Sequence, residues 1–453
     1  MIKRAGYADL PLHTGTVPKW LSDRMMMLGT QIMEALIINY GKKEALVRLS
    51  DPLWFQSLGC VLGMDWHSSG ITTSVLYALK RGLNRRAKEL GIVVCGGRGK
   101  YSKRTPEELT ILANMTGMDG TKLINCSRLA AKVDGALVQD GFTLYQHNFI
   151  LSDEGDWTIV QQGMNVAQKK ARRYHWSSEN LRSFIEEPHS GVTGENQGLI
   201  LNLTSSKAEP TRKKILTLTQ ENPDKMLKEI SQISQNDFEQ SQLELNFDTT
   251  TKGGSLPLAP KSSQSSGLVR YPLYGDSPRN APQEVFAEKI LLKNDRNLIM
   301  PSHHEVRAED VDLKRLGAVL ATAYESEPKD FESLLLTPGL GARTLQSLTL
   351  VSEVIYGTPS RFTDPARFSF AHGGKDGHPF PVTTKIYDES IRILGQSIEQ
   401  SKIGNNEKSE CLRRLESTAR YVEENCAPEA DFNSTLEHEK AHSKAWGGKT
   451  CMD

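Results

Sequence analysis

Apolar residues recur every three or four positions along most of the chain and every second position in one middle stretch, which predicts helices around a small sheet. Trp20, Leu21, Met25, Leu28, Ile32, Ala35 and Leu36 form one helical face, opened by Thr16-Val17-Pro18 and stopped at Gly41. Further helices are expected at about 43–49, 52–62 and 74–90, the last ending at Gly91. A short polar loop, Met64 to Thr73, lies between them. Ile92-Val93-Val94-Cys95 reads as a strand running into Gly96-Gly97-Arg98-Gly99-Lys100, and Thr105-Pro106-Glu107-Glu108 opens another helix. The helical period continues from Leu123 to Val133. It then gives way to period two, with Phe142, Leu144, Phe149 and Ile150 before an Asp153-Glu154-Gly155-Asp156 turn and Trp157, Ile159 and Val160 after it. Residues 166–186 and 223–233 return to a helical reading.

Composition divides the chain further. From about 234 to 282 it is rich in Ser, Gln, Thr, Gly and Pro, which reads as a flexible linker between a mixed domain, 1–233, and a nearly all-helical one, 283–426, with 427–453 as a loose tail. The expected class is α+β. Net charge is zero over 453 residues, so any basic face is local. Six scattered cysteines form no zinc spacing and fit reduced thiols. The start of the chain lacks the apolar core of a signal peptide, and no apolar run is long enough to span a bilayer, so a cytoplasmic protein is expected.

The candidate chemistry begins at Leu336-Thr337-Pro338-Gly339-Leu340-Gly341-Ala342-Arg343-Thr344-Leu345. Leu316, Leu320, Ala323 and Tyr324 before it, and Leu345, Leu348, Val351, Ser352 and Ile355 after it, keep helical spacing up to a Gly357 stop. Two short helices joined by Pro-Gly-Leu-Gly make a tight hairpin in which both glycines can take φ > 0 and backbone N–H groups suit a phosphate oxygen. The stretch resembles the helix-hairpin-helix motif of DNA repair proteins. In glycosylases with that motif, a lysine two residues after the second glycine attacks the sugar and an aspartate follows a Gly/Pro loop. Here the lysine position is Arg343, which cannot form a Schiff base. The loop Ala371-His372-Gly373-Gly374-Lys375-Asp376-Gly377 ends in Val382-Thr383, leaving Asp364, Asp376 and Asp388 as candidate acids. An ordinary αα-hairpin with a glycine turn is the alternative.

Two basic stretches suit a nucleic-acid backbone: Lys80 to Arg104, with Arg98 and Lys100 in its glycine-rich part, and Lys169-Lys170-Ala171-Arg172-Arg173-Tyr174-His175-Trp176, where cations adjoin aromatic rings. The alternatives are a solvated basic face and a basic amphipathic helix with a core Trp. Asp65 and His67 flank Trp66 in the polar loop, while Asp134, Asp140 and His147 straddle the start of the sheet. Acids near a strand end are how many nucleases hold Mg²⁺ or Mn²⁺, which makes Asp134 and Asp140 the candidate metal ligands. Gln161-Gln162 stands where a restriction-type core carries Glu-x-Lys, so Gln161 joins Asp65, His67 and the two acids as a candidate catalytic set. His303-His304 suits phosphate contact or a cap rather than a shared metal.

Several stretches also resemble an uncharacterised prokaryotic family, domain of unknown function 763: Lys3 to His13, Asp65-Trp66-His67-Ser68-Ser69-Gly70, Trp157 to Asn165, Ala171 to Trp176 and Ala371 to Gly377. The resemblance implies a prokaryotic cytosolic protein and supplies no active site. The expectation is a protein of DNA repair or processing that binds DNA, with RNA as the alternative, through Pro338, Gly339, Leu340, Gly341, Arg343, Thr344, Arg98, Lys100, Arg172, Arg173, His372 and Lys375. Metal-dependent cleavage is the leading chemistry, and a monofunctional glycosylase or a non-enzymatic adaptor the alternatives.

Overall fold

The structure, a computed structural model, describes Leu10 and residues 17–179, 181–233, 299–304, 306–307, 310–366 and 384–425. The expected linker and tail, and His372, Lys375 and Asp376 with them, lie outside these residues.

The class is α+β. Helices α1 (Lys19–Leu49), α2 (Pro52–Val61), α3 (Gly70–Leu83) and α4 (Ala87–Leu90) precede strand β1 (Ile92–Arg98). Helices α5 (Thr105–Thr116) and α6 (Gly120–Lys132) follow, and α6 runs into a π-helical turn, Val133–Leu137. Strands β2 (Val138–Gln139), β3 (Thr143–Ser152), β4 (Trp157–Asn165), β5 (Lys170–Ser177), β6 (Gly191–Thr193) and β7 (Leu199–Asn202) come next, then α7 (Glu209–Gln220) and α8 (223–233). Beyond the undescribed segment lie α9 (Leu313–Ser326), α10 (Phe331–Leu335), α11 (Ala342–Tyr356), β8 (Phe362–Thr363), α12 (Thr384–Gln400) and α13 (Asn405–Asn425).

The main sheet is antiparallel, in the order β1-β3-β4-β5-β6, and β2, β7 and β8 form a small second sheet. The expected turn at 153–156 joins β3 to β4. Gly41 interrupts α1 at φ +87°, where the sequence predicts a stop. Asp51 caps α2 by accepting from the N–H groups of Leu53 (2.9 Å) and Trp54 (3.2 Å), with Pro52 in the first turn.

Residues 170–177 correct the expectation of a helix over 166–186: they are β5, in the middle of the sheet. Strand period two is invisible there because polar side chains stand on both faces. Each face is roofed by helices. Phe149, Leu151, Trp157, Ile159 and Trp176 face a core shared with α6, α7 and α9–α11. Ile92, Val94, Ile150 and Val160 face a second core built from α1–α3 together with Ile393, Leu394 and Ile398 of α12 and Cys411 and Leu415 of α13. The described parts of the two expected domains therefore share both cores.

β1 is an edge strand, and its free side is closed by side chains. The Asn84 amide donates to Val94 O (3.0 Å) and accepts from Val94 N (2.8 Å). Lys80 donates to Gly96 O (2.7 Å), and Glu108 accepts from Gly96 N (2.8 Å). Asn84→Ala strips the buried Val94 of both partners and is expected to cost on the order of 2 kcal/mol. The check is the urea unfolding midpoint, with helical circular dichroism retained.

Candidate nucleic-acid interface and the polar networks behind it

The Thr337–Gly341 turn joins the five-residue α10 to α11, whereas the helix that carries Leu316, Leu320, Ala323 and Tyr324, expected to lead into the turn, ends earlier, at Ser326. Asp330 and Ser333 form a reciprocal cap at the start of α10, and Gly357 closes α11 in the left-handed region. Thr337 N donates to Leu334 O (3.0 Å) and Leu340 N to Thr337 O (3.3 Å). Only one of the two glycines uses its freedom: Gly339 has φ +84°, whereas Gly341 is extended at φ −140°. Pro338 and Gly339 are exposed at the tip, and Gly341 and Arg343 are half-buried. The side chains of Leu340 and Thr344 are buried, and the Leu340 N–H is taken by Thr337 O, so Thr344 could meet a phosphate only through its first-turn N–H.

Among the described residues no side chain caps the N-terminus of α11. Three cations lie beside it instead. Lys132 donates to Leu340 O. An exposed Arg315 places its guanidinium 3.7 Å from the position a Cβ would take on Gly341. Arg343 donates to Gln346 Oε1 (2.9 Å). Gln139 of β2, which follows the π-helical turn that carries Asp134, donates to Ala342 O (2.8 Å). Lys132 and Arg315 are far from the hairpin in sequence, and no local pattern marks them.

The stretch from Lys80 to Arg104 divides in two. Lys80 pairs with Glu108 (2.7 Å), Arg81 with Asp23 (2.6 Å) and Arg86 with Glu34 (2.7 Å), whose carboxyl is held down to about 2 chiefly by that bond. These cations are structural. Arg98, Lys100, Tyr101, Lys103 and Arg104 lie in and beside a 3₁₀ segment, Gly99–Arg104, and are exposed.

From Ala171 onward the second basic stretch is not a surface, although Lys169 is exposed and Lys170 half-buried. In β5, Arg172, Tyr174 and Trp176 face one core while Arg173 and His175 face the other, all fully buried. Arg172 lies between two carboxylates, 2.7 Å from Asp140 Oδ2 and 2.7 Å from Asp364 Oδ2. Burial opposes its charge, but the two acids more than offset it and raise its pKa. Tyr174 donates to the same Asp140 oxygen (2.6 Å). Asp134 accepts from Trp176 Nε1 (2.9 Å), Gln161 Nε2 (2.5 Å) and His189 Nε2 (2.5 Å). Gln161 Oε1 accepts from His147 Nδ1 (2.7 Å), which leaves Nε2 of His147 to accept from the Ser127 hydroxyl (2.9 Å).

On the opposite face, Arg173 donates to Gln56 Oε1 (2.8 Å) and His175 Nε2 (2.8 Å). No carboxylate reaches it among the described residues, and burial pulls its pKa well below the ordinary range. Thr72 links to Gln162, which in turn bonds Tyr145 and Ser69 O (3.1 Å). His175 donates to Leu49 O (3.2 Å) and stands edge-on to Phe55.

The expected catalytic set does not converge. Asp65 is exposed and His67 half-buried on the loop before α3, on the α1–α3 side of the sheet, whereas Asp134, Asp140 and Gln161 belong to the other face. Among the described residues no group of three or more His, Cys, Asp or Glu side chains is placed to hold a metal. Asp134 and Asp140 also spend their oxygens on Trp176, Gln161 and His189, and on Arg172, Tyr174 and the Phe142 N–H (3.0 Å). That donor set does not fit Mg²⁺ or Mn²⁺. Asp364 is buried against Arg172, and Asp388 is exposed on α12. His303 pairs with Asp310 (3.2 Å) and His304 with Glu353 (2.7 Å), so the adjacent histidines point to different partners.

Arg172→Met leaves Asp140 and Asp364 buried without their counter-charge and is expected to cost about 3–5 kcal/mol in urea unfolding. A pH effect follows from His147 and His175, whose pKa values burial lowers in the folded state. The unfolded chain binds protons first, so stability falls as pH drops below about 6.5, by up to about 1.4 kcal/mol per pH unit for each histidine. Unfolding midpoints between neutral and mildly acidic pH check this, and His147→Gln should reduce the slope.

No curated protein and no solved structure matches this chain. The family described as "Protein of unknown function (DUF763)" matches residues 6–382, which include both networks and the hairpin. The chain belongs to that family.

Proposed function

We propose that this is a DNA-binding protein of repair or processing that grips backbone phosphates at the Thr337–Gly341 hairpin. The observation that carries the reading is the half-buried start of α11: a fifteen-residue helix whose first turn has no side-chain cap among the described residues and has Lys132, Arg315 and Arg343 beside it. First-turn N–H groups and the positive end of the helix dipole favour an anion, and three cations add long-range attraction. Such contacts hold the backbone without reading base sequence. The exposed cations from Arg98 to Arg104 supply a second region of the same sign.

Anisotropy of a labelled duplex, titrated at several salt concentrations, tests the reading. Arg315→Ala with Arg343→Ala should weaken binding and lower the slope of log K against log salt by about 0.9 for each phosphate no longer neutralised. Wild-type affinity in the double variant would remove the hairpin from the interface. Incubating single-stranded, duplex and branched DNA with Mn²⁺ separates binding from cleavage. Cleavage that survives Asp134→Asn and Asp140→Asn would have to arise outside those two acids.

A further inference from the structure

The segment between β1 and α5 combines two features that a solvated basic face lacks. Tyr101 is 48 % exposed although it is a large aromatic side chain. Lys100 Nζ lies over its ring at 5.5 Å from the centroid and the Arg104 guanidinium at 5.3 Å, cation–π contacts that a stacking base would share or displace. Among the described residues no ion pair engages Lys100, Lys103 or Arg104. Glu108, in the first turn of α5, is already committed to Lys80 and Gly96 N.

The backbone that carries the ring is also held in place. Ser102 Oγ donates to Gly99 O (2.6 Å) and Thr105 Oγ1 to Ser102 O (2.8 Å), which closes the 3₁₀ segment. Gly97, at φ +151°, lets the Tyr101 Cβ come within 3.1 Å of the point a Cβ on Gly97 would occupy. A ring carried on a fixed backbone has less freedom to lose when a flat ligand covers it.

We propose that Tyr101 is a stacking platform for an unpaired base, with Lys100, Lys103 and Arg104 taking the flanking phosphates, so that this segment binds single-stranded nucleic acid. A duplex keeps its base faces stacked on one another, and only a single strand has a free π-face to lay on an aromatic ring. Charge complementarity selects a polyanion, and the exposed ring selects one with unpaired bases. The proposal rests on the nucleic-acid reading above and adds the strand type.

Fluorescein-labelled oligothymidylate and a blunt duplex of equal length, titrated into the full chain, test it. Tyr101→Ala should weaken the single strand about tenfold, Tyr101→Phe should bind as the wild type, and duplex affinity should not change. The salt slope of Tyr101→Ala should equal that of the wild type, whereas Lys100→Ala with Arg104→Ala should lower it by about 1.4. Tyr101→Ala binding oligothymidylate as tightly as the wild type overturns the platform, as does an equal loss on both ligands. A wild-type chain that binds the duplex but not oligothymidylate sinks this proposal alone, while one that binds neither sinks the nucleic-acid reading with it. Thermal unfolding of each variant verifies the fold.

Discussion

The contact on which the rest depends is the fully buried guanidinium of Arg172 between Asp140 and Asp364. Three distant parts of the chain meet there: the approach to β3, the middle of β5 and the segment after β8. Burial and the neighbouring Asp364 raise the pKa of Asp140 against the pull of Arg172, and hydrogen bonds take up much of what the guanidinium leaves uncompensated. Asp140 accepts from Tyr174 and the Phe142 N–H, and Asp364 from the N–H groups of Gln197 (2.7 Å) and Ala366 (2.8 Å). A buried carboxylate survives desolvation only with such saturation.

The same constraint governs both faces of the sheet. A strand covered by helices on each side has no wet face, so every polar side chain along β3, β4 and β5 must find a partner inside the protein. The chain Asp134–Gln161–His147–Ser127 does this on one face, and Gln56–Arg173–Thr72–Gln162–Tyr145 on the other. Networks of this kind hold their members at fixed angles and make single replacements costly. They also place the hairpin, because the turn that carries Asp134 leads directly to Gln139, the support of Ala342.

Much of the fold is legible in the sequence where one physical signal dominates. The β3–β4 turn carries Asp-Glu-Gly-Asp between period-two runs, Gly91 and Gly357 stop helices, and the Pro338-Gly339 turn separates two helical faces. Legibility fails at Lys170–Ser177, where cations and rings alternate with no apolar face because both faces are inside. The same failure hides the site: Arg172 and Arg173 read as phosphate ligands although both are structural. Conversely, Tyr101 sits within a visible basic run, while Lys132 and Arg315 reach the hairpin only through tertiary packing. Asp65 and Asp134 are acids of similar appearance in the sequence, and only the fold separates them by the thickness of a sheet.

The core around α2 is finished by residues from the far end of the chain. All ten residues of α2 are buried, and Ile393, Leu394, Ile398, Cys411 and Leu415 complete its surroundings. At a synthesis rate of about 5–20 residues per second, the cover from α13 emerges roughly 20–70 s after α2 has left the ribosome. During that interval α2 has only part of its final shelter, so the newly made chain presents apolar surface that the finished protein buries.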